Sequence, residues 1–453
     1  MTENLFAQIT KAISGLSHIH HVGRVLGVAT GTVQVGGVSA VVRLGDRAEI
    51  HAGSERMTAE VVRLDARGAH LLIEGAAEGI SIGDRVVFAP PPKFAPDDSW
   101  IGRVIDPDGK PLDGRPLLPG VAPRALRATP PAPHQRRAMG ARLETGLAVF
   151  NTLLPLVQGQ RIGLFAGSGV GKSSLLADLA RGVVADVIVI ALVGERGREL
   201  RHFVEDVLGP EGMQRSVVVA ATSDRAPQVR RNCAWAAMSV AEHFRDKGQQ
   251  VLLLVDSVTR FCEAHREVAV AAGENANLRG YPASTSLAIA SLCERAGPGT
   301  ATAGDITAVF SVLVAGSDMD EPVADMLRGV LDGHVVLDRE IAERGRFPAI
   351  NVLRSVSRSL PDAATPQENA MIAQARAHLG AYDRAELMIQ SGLYSSGSDP
   401  AIDAAIACAP SLDSFLTIKD TRGTLAHFAK LRQAMARSSS PMKTEELRPA
   451  SAK

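Results

Sequence analysis

The stretch RIGLFAGSGVGKSSLLADLARG, residues 161–182, gives the clearest indication of the fold in the middle of this 453-residue chain. The stretch begins as a short apolar run typical of a buried strand and ends in helix-forming residues, with Gly167, Gly169 and Gly171 between them. Glycines let backbone N–H groups converge on phosphate oxygens, and the helix N-terminus adds its positive end. The order of strand, glycine-rich turn and helix therefore predicts a phosphate-binding loop in an α/β domain.

The predicted loop supplies most of the candidate ligand-binding residues. Lys172 can reach the β- and γ-phosphates of a nucleotide, and the Ser173 hydroxyl can bind Mg²⁺. Ala166 departs from the glycine that the general pattern places first, and a tight turn between strand and helix is the alternative interpretation. The residues predicted to contact the nucleotide are Gly167, Ser168, Gly169, Val170, Gly171, Lys172, Ser173 and Ser174.

Apolar runs alternate with helical stretches from about residue 145 to 360. The runs are RIGLFAG, DVIVIALVG, SVVVAAT, VLLLVDS and DITAVFSVLVAG, and each is almost continuously apolar. Strands of this kind are typical of a parallel sheet that is buried on both faces. The pattern predicts a central α/β core that contains the phosphate loop.

Composition changes on both sides of this core. Residues 22–88 carry short valine-rich runs cut by glycines, which predicts a small antiparallel barrel, and APPPKFAPDD marks a boundary near residue 90. We expect a multidomain α/β chain with an N-terminal β-barrel, a central parallel P-loop domain and a C-terminal helical domain. The predicted limits are 1–21 for an amphipathic helix, 22–90 for the barrel, 91–362 for the central domain, 363–440 for the helical domain and 441–453 for a flexible tail.

Charge and cysteine content exclude several classes of protein. The chain has 49 Lys plus Arg and 49 Asp plus Glu, so no global field favours nucleic acid or an anionic membrane. The four cysteines form no CxxC pair, and we interpret them as buried thiols of a reducing compartment. There is no signal-peptide pattern and no apolar stretch long enough for a membrane span. We expect a soluble, cytoplasmic protein without a transmembrane segment.

Charged residues follow two of the apolar runs. Asp256 ends the run VLLLVD, where an acid in such folds holds a water on Mg²⁺; a cap of the next helix is the alternative. Glu195, Arg196 and Glu199 follow ALVG, and a carboxylate in reach of the γ-phosphate can orient or deprotonate the attacking water. Without the phosphate loop, these three residues would indicate only a charged turn.

Together these segments resemble the catalytic subunits of the rotary-ATPase family, and most closely the flagellar and type III secretion export ATPases. The resemblance rests on GRVIDPDGKPLDG, GQRIGLFAGSGVGKSSLL, VGERGREL, VLLLVDSVTR, RGRFPAINVLRSVSRSLPD and SGLYSSGSDPAIDAAI. It implies a RecA-like central domain that binds ATP with Mg²⁺. It also implies that Glu195 activates water, supported by Arg196 and Glu199, and that Ser173, Asp256 and Glu199 surround the metal ion.

Two further residues take roles from the resemblance. Phe347 stands where the family usually has a tyrosine that packs on adenine, and an aromatic face is sufficient for that contact. Arg358 matches the arginine that reaches the γ-phosphate of the neighbouring subunit; a surface arginine is the alternative. Because Glu195 and Arg358 occur on one chain, identical chains could form a homohexamer with complete sites at every interface.

The resemblance implies an ATP hydrolase of the flagellar export apparatus that couples hydrolysis to chaperone release and protein export. The implied partners are a stator-like regulator at the N-terminal helix, a central stalk protein, substrate–chaperone complexes and an export gate at the inner membrane, with peripheral association there. The family's usual sequence is replaced in residues 275–293, which face the ring's central channel in the family. The alternatives are an injectisome ATPase, a non-catalytic ring subunit, an ATP synthase subunit and a Rho-like RNA translocase, which would need aromatic residues in the barrel.

Overall fold

The N-terminal part of the chain is a closed barrel of six antiparallel strands. The computed structural model describes Thr10, Ile13 and residues 20–277, 279–314 and 319–436. The barrel strands, joined in the order β1-β2-β5-β4-β3-β6, are β1 (His21–Ala29), β2 (Thr32–Gly36), β3 (Arg47–Ala52), β4 (Glu55–Asp65), β5 (Gly68–Ile73) and β6 (Arg85–Ala89). The predicted barrel is thus confirmed, whereas almost all of the predicted N-terminal helix and the predicted tail lie outside the described residues.

The central domain is built on one eight-stranded sheet in the order β14-β13-β8-β12-β11-β9-β10-β7. All its pairings are parallel except that of β13 with β14. Its strands are β7 (Arg103–Ile105), β8 (Arg161–Ala166), β9 (Val187–Glu195), β10 (Ser216–Thr222), β11 (Val251–Asp256), β12 (Ile306–Leu313), β13 (Gly333–Leu337) and β14 (Ile350–Ser357). Strands β8 to β12 are the five apolar runs predicted from the sequence.

Helices cover both faces of this sheet and form the C-terminal region. They are α1 (Ala148–Asn151), α2 (Lys172–Gly182), α3 (Gly197–His202), α4 (Gly209–Met213), α5 (Pro227–Arg245), α6 (Val258–Ala271), α7 (Ser284–Cys293), α8 (Pro322–Val330), α9 (Arg339–Glu343), α10 (Pro366–Gln390), α11 (Pro400–Leu416) and α12 (Gly423–Ala436). A π-helical segment, Phe203–Leu208, joins α3 to α4, and short 3₁₀ turns lie at Asp98–Trp100 and Pro133–Gln135. The predicted fold class is confirmed, while the predicted domain limits stay predictions.

Helix α2 packs closely against the segment that precedes β8. Its apolar face buries Leu175, Leu176 and Leu179 in the main core. At its last residue, a Cβ on Gly182 would stand 2.1 Å from the Thr145 carbonyl oxygen, so only glycine allows this approach. The C-terminal end of the helix that follows the phosphate loop therefore lies directly against the backbone at Thr145.

Membrane-spanning helices are not found in the described part of the chain, where no helix is both long and apolar enough. Cys233, Cys262, Cys293 and Cys408 are all free thiols in buried positions, as the sequence predicted.

A buried ion pair joins α5 to the segment after α7. The Arg295 side chain is 1% exposed and donates from Nε and Nη2 to the Glu242 carboxylate at 2.9 and 2.7 Å, with Ser239 Oγ as a further acceptor. Removing one partner of such a pair leaves a buried charge without compensation, which costs about 3–5 kcal/mol.

We therefore expect Arg295→Met to lower the midpoint of thermal unfolding by several degrees. Arg201→Met is the matched control, because the Arg201–Glu205 pair is exposed and exposed pairs contribute about 0–1 kcal/mol. Calorimetry of both variants is the measurement. Equal midpoints for the two variants would show that the buried pair does not hold α5 to the segment after α7.

Candidate nucleotide site

The phosphate loop has the backbone conformation that its glycines predict. Strand β8 ends at Ala166, helix α2 begins at Lys172, and the turn between them contains Gly169 with φ of 76° and Gly171 with φ of 84°. Both values lie in the left-handed region that L side chains rarely adopt. Ser168, Gly169 and Ser173 are exposed, so the turn and the first turn of α2 are open to a ligand.

The sheet register brings Asp256 to the Lys172 side chain. Strand β11 lies two places from β8 in the sheet, and Asp256 is its last residue. The Lys172 ammonium forms an ion pair with Asp256 Oδ1, and the Ser311 hydroxyl donates to the same oxygen at 2.7 Å. The helix after β11 is capped instead by Ser257, whose side chain accepts from the Arg260 N–H. The cap interpretation of Asp256 is therefore wrong.

Glu195 lies at the same end of the sheet, on the strand next to β11. It ends β9, and its side chain is 17% exposed. Burial and the neighbouring Asp256 carboxylate raise the pKa of Glu195 to about 7, although Lys172 and Arg260 act in the opposite direction. Arg260 Nε is 3.9 Å from Glu195 Oε1. A carboxylate with a raised pKa beside a phosphate loop has the chemistry of a general base.

Arg196 and Glu199 lie on the solvent side of Glu195 and pair with each other. Arg196 Nη1 donates to Glu199 Oε1 at 3.0 Å, and the Arg196 side chain is 74% exposed. The structure thus gives Glu195 its cationic neighbours from Arg260 and Lys172 rather than from Arg196. Arg260 was not singled out from the sequence, although it ends the DSVTR motif.

The donor groups fit a magnesium ion held jointly by protein and nucleotide. In the described part of the chain, no cluster of three or more His, Cys, Asp or Glu side chains forms an all-protein metal site. Mg²⁺ in nucleotide sites is usually bound by one or two protein oxygens together with phosphates and waters. Asp256 supplies such an oxygen, and its carboxylate carries the negative charge that helps to raise the pKa of Glu195. Ser173 supplies an exposed hydroxyl.

Phe347 lies beside the phosphate loop. A Cβ on Gly171 would stand 3.2 Å from two carbon atoms of the Phe347 ring, and the residue is 44% exposed. The ring is therefore not part of the core and offers an accessible aromatic surface next to the loop. This placement suits a base-stacking role, which stays a prediction.

Arg358 is separated from the other predicted site residues. It follows β14, which runs antiparallel to β13, so Ser357 pairs with Gly333 at the start of β13. The Arg358 N–H donates to the Asp332 carbonyl at 3.0 Å, and the Asp332 carboxylate accepts from Arg161 at the start of β8. Strand β8 is six residues long, which places its two ends about 16 Å apart. The exposed Arg358 thus lies near the N-terminal end of β8, whereas the phosphate loop follows its C-terminal end.

Two protein families match successive parts of the chain. Residues 146–357 match the nucleotide-binding domain of the ATP synthase alpha/beta family. Residues 364–437 match the C-terminal domain of the type III secretion ATPase EscN. The two matches cover strands β8 to β14 of the sheet that carries the site and the helices that follow it.

Individual relatives are similar over most of the chain. A flagellum-specific ATP synthase of Caulobacter vibrioides is 44% identical over 403 residues, which cover 87% of this chain and 91% of that protein. The assembled ATPase EscN from the type III secretion system of enteropathogenic E. coli superposes with a TM-score of 0.82 at 34% identity, covering 91% of this chain and 100% of EscN. EscN in complex with its central stalk EscO gives a TM-score of 0.80 at the same identity and coverage.

Proposed function

The chain belongs to the family of flagellar and type III secretion ATPases and is an ATP hydrolase, and we propose that it is the Mg²⁺-dependent ATPase of a flagellar protein export apparatus. We propose further that it acts as a ring of identical chains, a homohexamer. The observation that supports the ring is that Arg358 and Lys172 lie at opposite ends of strand β8.

The residues around Lys172 have different roles in ATP hydrolysis. Backbone N–H groups of the phosphate loop and the Lys172 ammonium bind the phosphates, while Ser173 and Asp256 hold Mg²⁺, with Glu199 nearby. When bound, Mg²⁺ neutralises part of the charge of the phosphates. Glu195 orients the attacking water and accepts its proton, since its pKa lies near neutrality. Phe347 holds the base.

Arg358 cannot serve the phosphate loop of its own chain without a large rearrangement, because a whole strand length separates them. The exposed arginine lies at one end of the strands and the open phosphate loop at the other. These two groups can meet when identical chains pack side by side. Each interface then holds one complete site, with a carboxylate from one chain and an arginine from the next. Such an arginine stabilises charge that develops during phosphoryl transfer.

Concentration dependence of Mg-ATPase turnover tests the ring. If sites are completed at interfaces, turnover per chain rises steeply with protein concentration, because association creates active sites. Constant turnover together with a monomeric mass in light scattering would overturn the proposal. Constant turnover with a hexameric mass would show a preassembled ring.

The flagellar role is favoured over the injectisome role by an identity of 44% to the flagellum-specific relative, against 40% to a type 3 secretion system ATPase of Xanthomonas euvesicatoria. We propose that the ring works in the cytoplasm at the inner membrane, with a stalk protein in its channel as EscN has EscO. We propose also that ATP hydrolysis releases chaperones from exported proteins, that these complexes dock on the C-terminal helices, and that a stator-like regulator binds the N-terminus.

The flagellar role is tested by replacing the chromosomal gene with the Lys172→Ala form. Loss of flagella and motility is expected, whereas normal flagella with lost effector secretion would assign the chain to an injectisome.

Lys172→Ala is expected to abolish both nucleotide affinity and turnover in the purified protein. The alanine removes the positive charge that binds the phosphates and leaves Asp256 without its ion-pair partner. Titration with a fluorescent ATP analogue and a phosphate-release assay measure the two effects. Lys247→Ala is the control, because Lys247 is a partly exposed lysine that pairs with Asp98. Unchanged turnover in Lys172→Ala would remove the loop from the active site.

A further inference from the structure

A buried hydroxyl group lies between the strand that carries the phosphate loop and the strand that ends in Asp256. Ser311 is fully buried in β12, and the other residues of that strand are apolar except for Thr307. Strand β12 pairs with β8 on one side, where Ser311 lies opposite Leu164, and with β11 on the other. Burying a hydroxyl group without a hydrogen bond is unfavourable, so a serine at this position needs a partner.

The partner of Ser311 is the Asp256 carboxylate. The Ser311 hydroxyl donates to Asp256 Oδ1 at 2.7 Å, and the Lys172 ammonium forms an ion pair with the same oxygen. A hydrogen bond from a hydroxyl to a carboxylate is short and strong because the acceptor is charged. Oδ1 therefore has two donors of different kinds, a hydroxyl that is enclosed in the sheet and an ammonium on a long, flexible stem.

The second oxygen of Asp256 is left open. Oδ2 accepts no hydrogen bond from the residues that the structure describes, and it is not among the unpartnered side-chain oxygens that are closed off from solvent there. The carboxylate thus has one anchored oxygen and one open oxygen. An open carboxylate oxygen beside a phosphate loop is suited to bind Mg²⁺ or one of its waters.

A contact at the end of β12 keeps Ser311 in place beside Asp256. Thr259, in the first turn of α6, accepts from the Leu313 N–H at 2.9 Å through its hydroxyl oxygen. Because α6 follows β11 directly, this contact joins the two strands again two residues beyond Ser311. The position of the Ser311 hydroxyl relative to Asp256 is therefore set by the sheet and by the start of α6.

Nucleotide binding changes the donors that serve Asp256 Oδ1. Phosphates attract the Lys172 ammonium, which then no longer serves Asp256 alone. Ser311 carries no charge and is enclosed in the sheet, so phosphates cannot draw it away. The Asp256 side chain is 5% exposed, so solvent has little access to replace the hydroxyl.

We infer that Ser311 is a positioning residue for the binding of Mg²⁺: its hydroxyl holds Asp256 Oδ1 and thereby keeps Oδ2 available to the metal ion. This inference rests on the proposed role of Asp256 in holding Mg²⁺. Groups that orient the residues of a metal site usually contribute about 10- to 100-fold to metal affinity. Loss of the Ser311 hydroxyl should therefore weaken Mg²⁺ while the phosphate loop still binds nucleotide.

Titration of Mg²⁺ into the full chain with a bound fluorescent ADP analogue tests this role. For Ser311→Ala we expect the half-saturating Mg²⁺ concentration to rise about 10- to 100-fold. Affinity for the same analogue in EDTA should change less than about twofold, because the alanine leaves Lys172 and the loop backbone in place. Ser311→Cys keeps the volume of the side chain but is only a weak donor, so it should resemble the alanine variant and replaces it if that variant does not fold.

Turnover separates positioning from a merely structural role. If Ser311 acts through Asp256, the Mg²⁺ concentration for half-maximal ATP turnover rises at least tenfold in Ser311→Ala, whereas turnover at saturating Mg²⁺ falls less than about threefold. Ser311→Thr keeps the hydroxyl and should restore the Mg²⁺ requirement of the unmodified chain. Ser216→Ala is the matched control, because the buried Ser216 hydroxyl donates to the Gly212 carbonyl at the start of β10, at the opposite end of that strand from the site.

Asp256→Asn distinguishes a failure of this inference from a failure of the proposed function. If Asp256→Asn needs no more Mg²⁺ than the unmodified chain, the proposed role of Asp256 is wrong. A raised requirement in Asp256→Asn but not in Ser311→Ala would leave that role intact and overturn the role of Ser311. The role of Ser311 is also overturned if Ser311→Thr, folded as judged by its thermal unfolding, is as defective as Ser311→Ala.

Discussion

Replacing Arg358 with alanine is expected to lower ATP turnover by about 10³- to 10⁵-fold while nucleotide still binds, since an arginine supplied to a neighbouring site is worth about this factor. Nucleotide binding is retained because Arg358 lies a whole strand length from Lys172, at the other end of β8. Turnover of the assembled ring and affinity for a fluorescent ATP analogue are the measurements. Arg339→Ala is the matched control, because Arg339 is 76% exposed and pairs with Glu343 on α9.

Mixing the Arg358→Ala and Lys172→Ala proteins separates action between chains from action within one chain. Each variant alone has defects at every interface. In a mixed ring, some interfaces combine an intact Lys172 and Glu195 with an intact Arg358 from the neighbour. Partial recovery of turnover is therefore expected, and a mixture as inactive as its components would show that Arg358 acts within its own chain.

Glu195→Gln is expected to bind Mg-ATP at least as tightly as the unmodified chain and to hydrolyse it about 10²- to 10⁴-fold more slowly, the usual contribution of a general base. The amide keeps the shape of the side chain but cannot accept the proton. It also removes the repulsion between Glu195 and Asp256, which opposes the binding of further negative charge.

Glu205→Gln serves as the control for this change. The Glu205 side chain is 57% exposed and pairs with Arg201, so its neutralisation should leave turnover nearly unchanged. Single-turnover hydrolysis and equilibrium binding of Mg-ATP distinguish chemistry from affinity. Rapid hydrolysis by Glu195→Gln would mean that another group activates the water.

The sequence predicted the parts of the fold whose signal is local. Strands β8 to β12 are continuous apolar runs, and the strand, glycine turn and helix at 161–182 are contiguous, so each could be read without knowledge of its neighbours. Strand β7 was not predicted, because Arg103–Ile105 is only three residues long and lies in a proline- and glycine-rich segment. Its pairing with β10 depends on a distant part of the chain.

The candidate site also combines residues that could be predicted from a local sequence signal with residues that could not. Lys172, Asp256 and Glu195 could be chosen because each follows an apolar run, and parallel strands bring such positions to one edge of the sheet. Ser311 could not, because it lies within a buried strand and meets Asp256 only through the register that sets Phe310 beside Val255. The Glu60–Arg231 ion pair could not be chosen either, because it joins the barrel to a helix about 170 residues later in the chain.

The closed barrel governs which surfaces can drive self-association. A strand at an open edge presents unpaired backbone groups that template pairing with other chains and lead to aggregates without a defined size. Here β6 pairs with both β1 and β3, so the barrel has no open edge, and the central sheet ends on one side in the three-residue β7. The other side of the sheet ends in the eight-residue β14, so the absence of an open edge is a property of the barrel alone. Crowding many copies together thus gives the barrels no edge strand to pair through, and contacts between barrels are left to their side chains.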